Sequence, residues 1–294
     1  MSENMTPRRT IAESTNGTMF QGYVGRSEVM RARIAEAPLA LLAALLDRPF
    51  DEVAPTGALP PLWHLLIVPP PVRQSEIGPD GHPKRGTFLP PITYPRRMFA
   101  GSKVRFIEPL YVGDDVVRTT TIRSITPKAG RSGNLIFVTL ANAIEGPRGL
   151  ALTEEQNLVF RETDDPKSAT AEIPVARGKP TGFSAVETVH PDPVLLFRYS
   201  AATINTHRIH YDLEYVRSVE GYPDLVVHGP LQAIMLAGLA TRQLGRPLST
   251  FEFRINKPLF LGAPFYCVAR SADGREQLQT LDRVHDVCTS AWAE

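Results

Sequence analysis

Residues 199–239 hold three of the chain's seven histidines, His207, His210 and His228. Imidazole titrates near neutral pH and is costly to keep in a core, so such a cluster points to proton transfer. The competing reading is a set of surface or satisfied histidines. The second half of the stretch tips the balance. Val226 and Val227 read as a strand end or turn, and His228-Gly229-Pro230 as the first turn of a helix, where the missing proline N–H is no loss. Residues 232–239 continue as an apolar, Ala- and Leu-rich run with little charge, the pattern of a buried helix. Unpaired backbone N–H groups at such a helix start can hold developing negative charge. An acid–base loop followed by a helix N-terminus suggests chemistry on a carbonyl compound.

The elements that position these residues must come from a chain of 294 residues, long enough for two domains. A formal net charge of +1 gives no reason to expect nucleic acid or an acidic membrane surface as partner. No run of about 18 apolar residues suggests a membrane span. Cys267 and Cys288 are too few for a disulfide framework or a zinc site. One bridge between them stays open, with free buried thiols favoured, and no metal or cofactor is expected. The first 20 residues lack an apolar secretory core and read as a disordered tail. Arg8, Arg9 and nearby Ser and Thr faintly suggest a transit peptide, against which Glu3 and Glu13 count. The expected location is the cytoplasm, or the mitochondrial matrix in a eukaryote.

Residues 27–46 show apolar spacing at Met30, Ile34, Ala37, Leu41 and Leu45, which predicts a helix capped by Ser27 and interrupted at Pro38. Residues 59–68 predict a short helix between prolines. Residues 69–95, rich in Pro and Gly, predict a long surface excursion of the kind that is often functional. Strands are predicted over 102–107, 115–126, 135–145 and 150–160, divided by turn signals at 112–114, 129–133 and 146–147. A polar linker follows at 166–180. The second half predicts strands over 183–190, 250–255, 264–271, 276–282 and 286–292, around the histidine loop and its helix.

Residues 104–113, Val-Arg-Phe-Ile-Glu-Pro-Leu-Tyr-Val-Gly, match 253–262, Phe-Arg-Ile-Asn-Lys-Pro-Leu-Phe-Leu-Gly, without a gap. The copies lie about half a chain apart, each after a helix and before a run of strands. This predicts duplication of one domain, 21–165 and 181–294, with the two sheets joined edge to edge.

With this repeat and this histidine loop the chain resembles the hotdog-fold hydratases and dehydratases of the MaoC-like, type 2 group. It resembles most the double-hotdog 3-hydroxyacyl-thioester dehydratases and the mesaconyl-C4-CoA or itaconyl-CoA hydratases. The motif T-G-D-x-N-P-[IL]-H aligns with Thr203-Ile204-Asn205-Thr206-His207-Arg208-Ile209-His210, and V-x-H-G-x-L with residues 226–231. Residues 59–64, 96–101, 130–133 and 154–156 also look like features of the double-hotdog subgroup. The resemblance implies an α+β tandem hotdog, each half an antiparallel sheet around a long central helix. It implies a hydro-lyase acting on an α,β-unsaturated acyl thioester of CoA or acyl-carrier protein. His210 falls on the catalytic histidine, while Asn205 replaces the group's aspartate and His207 its asparagine. An amide is no general base, so His210 is left as the strong proton acceptor, with Asn205 holding water or substrate. Two repairs are open: His207 shares the load, or Asp212 enters the site.

Backbone N–H at Gly229 would form the oxyanion hole. His207, Arg208, His228 and Tyr199 are the expected substrate-binding residues, Tyr199 doubling as a core candidate. Arg208 is the first candidate to read a second carboxylate, with Arg97 and Arg131 behind it. The 69–95 excursion and the first domain would cover the acyl or pantetheine part. Alternatives are a 3-hydroxyacyl-carrier-protein dehydratase of fatty acid synthesis, an acyl-CoA thioesterase, which Asn205 disfavours, and a non-catalytic acyl-binding subunit. Pairing as a homodimer stays open.

Overall fold

A computed structural model describes residues 20–68, 71–130, 133–162, 175–272 and 275–294. The expected tail, apart from Phe20, and the expected linker up to residue 174 lie outside these. Phe20 itself is buried against Ile122 and Phe160, so it belongs to the fold rather than to the tail.

The strands are β1 (Ser27–Arg33), β2 (Arg96–Phe106), β3 (Asp115–Gly130), β4 (Gly133–Gly146), β5 (Gly149–Arg161), β6 (Ala185–Val189), β7 (Thr250–Ile255), β8 (Phe265–Ala272), β9 (Arg275–Leu281) and β10 (Val287–Ala293). They form one ten-stranded sheet, ordered β1-β3-β4-β5-β2-β7-β10-β9-β8-β6, with every pair antiparallel. The seam is β2 on β7, with Ser102 opposite Phe253 and Val104 opposite Phe251. These strands carry the repeated motif, so the two copies meet at the centre and neither leaves a bare edge there.

The helices are α1 (Glu36–Leu45), α2 (Phe50–Val53), α3 (Pro193–Thr203), α4 (Leu213–Ser218) and α5 (Gly229–Leu244). The helix expected over 27–46 is corrected to a strand followed by α1. Ser27 does not cap it: its hydroxyl lies 2.7 Å from Thr121 Oγ1 across the β1–β3 pair. Pro38 falls in the first turn of α1, where it needs no kink. Residues 59–68 hold only a 3-10 turn, Trp63–Leu66.

α5 buries Leu231, Ile234, Leu236, Leu239 and four smaller or polar residues against β8, β9 and β10. Gln232 pins it there. Its Oε1 accepts from Thr280 Oγ1 (2.7 Å) and Thr289 Oγ1 (2.9 Å).

Among the described residues a long central helix is present only in the second half. In the first, residues 71–95 form an irregular excursion with one 3-10 turn, Gln74–Glu76. Phe88, Leu89, Ile92 and Tyr94 of this excursion pack on Ile122, Ile125, Ile136 and Val138. Beneath the same sheet the buried Glu154 carboxylate accepts from Ser102 (2.7 Å), Asn142 (3.0 Å) and Gln156 (3.0 Å), with His64 at 3.7 Å. α1 packs on α3, and one continuous core spans both halves. Cys267 and Cys288 are free and buried. Among the described residues no helix is long and apolar enough to cross a membrane.

Candidate active site

α3 delivers the histidine loop. Asp192 caps its start, with Oδ1 accepting from Leu195 N at 2.7 Å. It ends at Ile204, whose φ of 49° is left-handed. That turn sends the chain into Asn205 and on to a 3-10 turn at Arg208–His210. A second segment, residues 226–228, runs beside it. Val226 N donates to Ile209 O (3.0 Å), and Val227 N to Leu259 O (2.8 Å).

His210 Nδ1 lies 2.7 Å from the Val226 carbonyl. A carbonyl only accepts, so Nδ1 carries the proton and Nε2 keeps its lone pair. Burial pushes His210 down to about 4, against a smaller upward pull from the Val226 bond. The ring is neutral at pH 7 and can act as a base.

His228 stacks on His210, centroids 3.6 Å apart and 19° between planes. Its Nε2 lies 2.9 Å from Ser200 Oγ, and Tyr199 meets its ring edge-on at 4.7 Å. His228 is 0% and Tyr199 1% exposed. From the sequence both are expected to bind substrate; the structure buries them behind the His210 ring. Burial holds His228 well below its ordinary pKa and raises that of Tyr199.

His207 stands perpendicular to His210 at 5.7 Å. Its other neighbour is His82, 4.1 Å away, which comes from the first-half excursion. Burial, then repulsion from His82 and His210, lowers His207 to about 2. Asp80 orients His82: Oδ2 lies 3.2 Å from Nδ1, and Oδ1 accepts from the His82 backbone N–H at 3.0 Å. Burial alone would raise Asp80. The His82 hydrogen bonds and the neighbouring imidazoles outweigh it and hold the carboxyl well below the usual range.

The excursion is fastened to the loop by backbone. Arg208 N donates to Asp80 O (3.0 Å), Arg208 Nη1 to Pro79 O (3.0 Å), and Thr206 Oγ1 to Gly81 O. A Cβ on Gly81 would lie 1.9 Å from Thr206 O, and φ there is +90°, so only glycine allows this approach. Sequence reasoning missed His82 and Asp80. The one signal was Gly78-Pro79-Asp80-Gly81-His82, buried in an aperiodic stretch.

Arg208 is not free to read a substrate carboxylate. Its Nε and Nη2 bond Asp212 Oδ2 at 3.0 and 2.8 Å, and its guanidinium covers the Tyr215 ring. Asp212, weighed as an entering carboxylate, holds Arg208 and caps α4 through Tyr215 N. Asn205 Oδ1 accepts from His207 N at 3.1 Å, which leaves its NH2 as donor. Gly229 opens α5 with its N–H unpaired among the described residues; Pro230 has none, and no side chain caps this end. Arg131 lies outside the described residues. A groove of about 630 Å³ between α1, α5 and β6 is lined by none of these four imidazoles. Among the described residues no cluster of His, Cys, Asp and Glu is placed to hold a metal.

A neutral base, an amide donor and a helix start together suit proton transfer beside a carbonyl. The family model for hydroxyacyl-thioester dehydratase type 2 matches residues 62–261. The mesaconyl-C(4)-CoA hydratase of Chloroflexus aurantiacus is 45% identical over 260 residues, covering 88% of this chain and 92% of that protein. The crystal structure of HtdX from Mycobacterium tuberculosis superposes with a TM-score of 0.65 at 17% identity, covering 91% of this chain and 99% of the other. Another Mycobacterium tuberculosis protein, described as a double hotdog fold, gives 0.52 at 15% identity, covering 92% and 95%. The α+β double-hotdog architecture follows from these.

Proposed function

The chain belongs to the hydroxyacyl-thioester dehydratase type 2 family, hydro-lyases of acyl thioesters, and within it we propose that it hydrates mesaconyl-C4-CoA. The observation that carries this reading is the neutral His210, its Nδ1 proton held by Val226 and its Nε2 left as a base. The 45% identity to a hydratase of that substrate supports the choice of acyl group.

In this substrate the β-carbon bears a methyl group and the free carboxylate, and the α-carbon joins the thioester. His210 Nε2 takes a proton from water as the water oxygen bonds to the β-carbon. The π electrons move toward the thioester oxygen, and the Gly229 N–H steadies that developing charge. The α-carbon then takes the proton from His210, so one water is added and the base is restored. Asn205 contributes through its NH2, which donates to the water or to the substrate. His228 and Tyr199 keep the His210 ring in place and dry.

Loss of the enoyl-thioester absorbance on mixing with mesaconyl-C4-CoA tests the reading. Wild type should hydrate it, and His210→Ala should lose about a thousandfold or more in kcat, the scale of a general base. Hydration undiminished in His210→Ala would refute the assignment of the base. Absence of turnover by wild type would refute the substrate.

A further inference from the structure

The excursion brings a second oriented imidazole to the histidine loop. Asp80 Oδ1 accepts from the His82 backbone N–H at 3.0 Å, and Oδ2 lies 3.2 Å from His82 Nδ1. An ionised carboxylate only accepts, so Nδ1 carries the proton and Nε2 keeps its lone pair. Burial outweighs the pull of Asp80 and holds His82 below its ordinary pKa, so the ring is neutral at pH 7. No other hydrogen bond engages this ring among the described residues. The side chain is 20% exposed, and Nε2 is not sealed from solvent.

Backbone contacts hold the pair against the loop. Gly78 N donates to His82 O (2.7 Å), Arg208 N to Asp80 O (3.0 Å), and Thr206 Oγ1 to Gly81 O. The His82 ring lies 4.1 Å from that of His207, which stands 5.7 Å from that of His210. At 4.1 Å and 42° the first two rings meet by their faces, too close for an N–H···N bond from edge to edge. His82 therefore does not act by bonding His207.

The attacking water has two hydrogens. One passes to His210 Nε2 as the oxygen bonds to the β-carbon. The other needs an acceptor, or it stays unpaired while the bond forms. A carboxylate at position 205 would accept it. Asn205 Oδ1 is taken by His207 N at 3.1 Å, and its NH2 only donates. His228 is bonded to Ser200, and no partner fixes the tautomer of His207 among the described residues. His82 Nε2 is the acceptor of fixed tautomer that the cluster leaves free.

We propose that His82 is a second catalytic residue of the hydration: its Nε2 accepts the hydrogen that the attacking water keeps, and Asp80 is a positioning residue that acts through Nδ1. No proton passes to His82. The bonds made and broken are those at His210 and the two carbons, and the hydrogen held by His82 stays on oxygen as that of the product hydroxyl. The inference rests on the hydration proposed above.

Asp80→Asn discriminates. Its Oδ1 still accepts from the His82 backbone, but its NH2 then faces Nδ1 and drives the ring proton to Nε2, which turns the acceptor into a donor. Hydration of mesaconyl-C4-CoA is measured beside the affinity for its saturated counterpart, the C4-thioester of 2-methylsuccinate with CoA, by titration calorimetry. Asp80→Asn and His82→Leu should each lose on the order of 100-fold in kcat, with that affinity within about twofold of wild type. If His82→Leu does not fold, Asp80→Asn carries the test. A wild-type kcat in either folded variant would overturn the inference. So would an affinity that falls as far as kcat, because the pair would then only shape the binding surface. A wild type that hydrates crotonyl-CoA but not mesaconyl-C4-CoA would refute the substrate alone, and the same comparison is then read with crotonyl-CoA and butyryl-CoA. A wild type that hydrates neither would overturn both readings.

Discussion

Acidification should leave the hydration rate nearly flat well below the pH at which an ordinary histidine base fails. His210 is buried and its pKa is lowered from 6.5 to about 4. At pH 5.5 a base of pKa about 4 is ~97% neutral, whereas one at about 6.5 would be ~10% neutral. Between pH 7.5 and 5.5 kcat/KM should therefore change little instead of falling about tenfold. The same shift costs stability. The folded-state pKa lies below the unfolded value, so the unfolded chain binds more protons as pH drops. The contribution is fully present above about pH 6.5 and is lost toward pH 4, by about 3 kcal/mol for His210 alone. His82, His207 and His228 are lowered too and act in the same direction. The assay is a pH jump from 7.5, with initial rates read from the enoyl-thioester absorbance while circular dichroism confirms the fold. Melting temperatures measured in parallel should decline from pH 6.5 downward. An acid limb in kcat/KM with its midpoint between pH 6 and 7, in folded enzyme, would refute the burial argument.

Asn205→Asp would place a carboxylate beside His207 and His210, raise their pKa values and move the acid limb of kcat/KM toward neutral pH; an unmoved limb would place residue 205 away from the base. Gly81→Ala drives a Cβ into the Thr206 carbonyl, so the excursion must lift, with loss of three hydrogen bonds worth about 1 kcal/mol each. It should lower both melting temperature and kcat/KM, the latter at least about tenfold. Ile204→Gly should raise the unfolding free energy measured in urea by about 1 kcal/mol, since a β-branched residue is strained at a φ of 49°. Glu154→Ala leaves Ser102, Asn142, Gln156 and His64 without their shared partner and should cost about 3–5 kcal/mol in urea unfolding.

Nearly all of the sheet is legible in the order of the residues, and the reason is local. Residues 115–161 alternate apolar and polar between Gly-rich turns, and the repeated ten-residue pattern marks the strands that pair at the seam. β1 is hidden because Met30 and Ile34 also satisfy helical spacing; pairing with β3, a contact nearly a hundred residues away, decides it. His210 and Gly229 are legible because motif and helix signals coincide there. Arg208 and Arg97 look equivalent in a string of letters. They differ in the fold: Asp212, one helical turn away, takes the fork of Arg208, while Arg97 lies in β2 on the face opposite Arg96. His82 and Asp80 carry no periodicity to announce them.

Loss of the long helix in the first half has a physical counterpart in the site. A helix over residues 78–95 would have hidden its backbone carbonyls in its own hydrogen bonds. As irregular chain, the same stretch offers the carbonyls of Pro79, Asp80 and Gly81 to Arg208 and Thr206. It still covers its sheet, because Phe88, Leu89, Ile92 and Tyr94 bury the apolar surface a helix would have buried. The second half keeps its helix, whose Gly229 N–H is unpaired among the described residues. The two halves are thus not interchangeable: one carries His207, His210, His228 and the start of α5, and the other sets His82 and Asp80 beside them. Separating the halves would expose α1, α3 and the shared core together with the imidazoles, so the site and the fold should unfold as one cooperative unit.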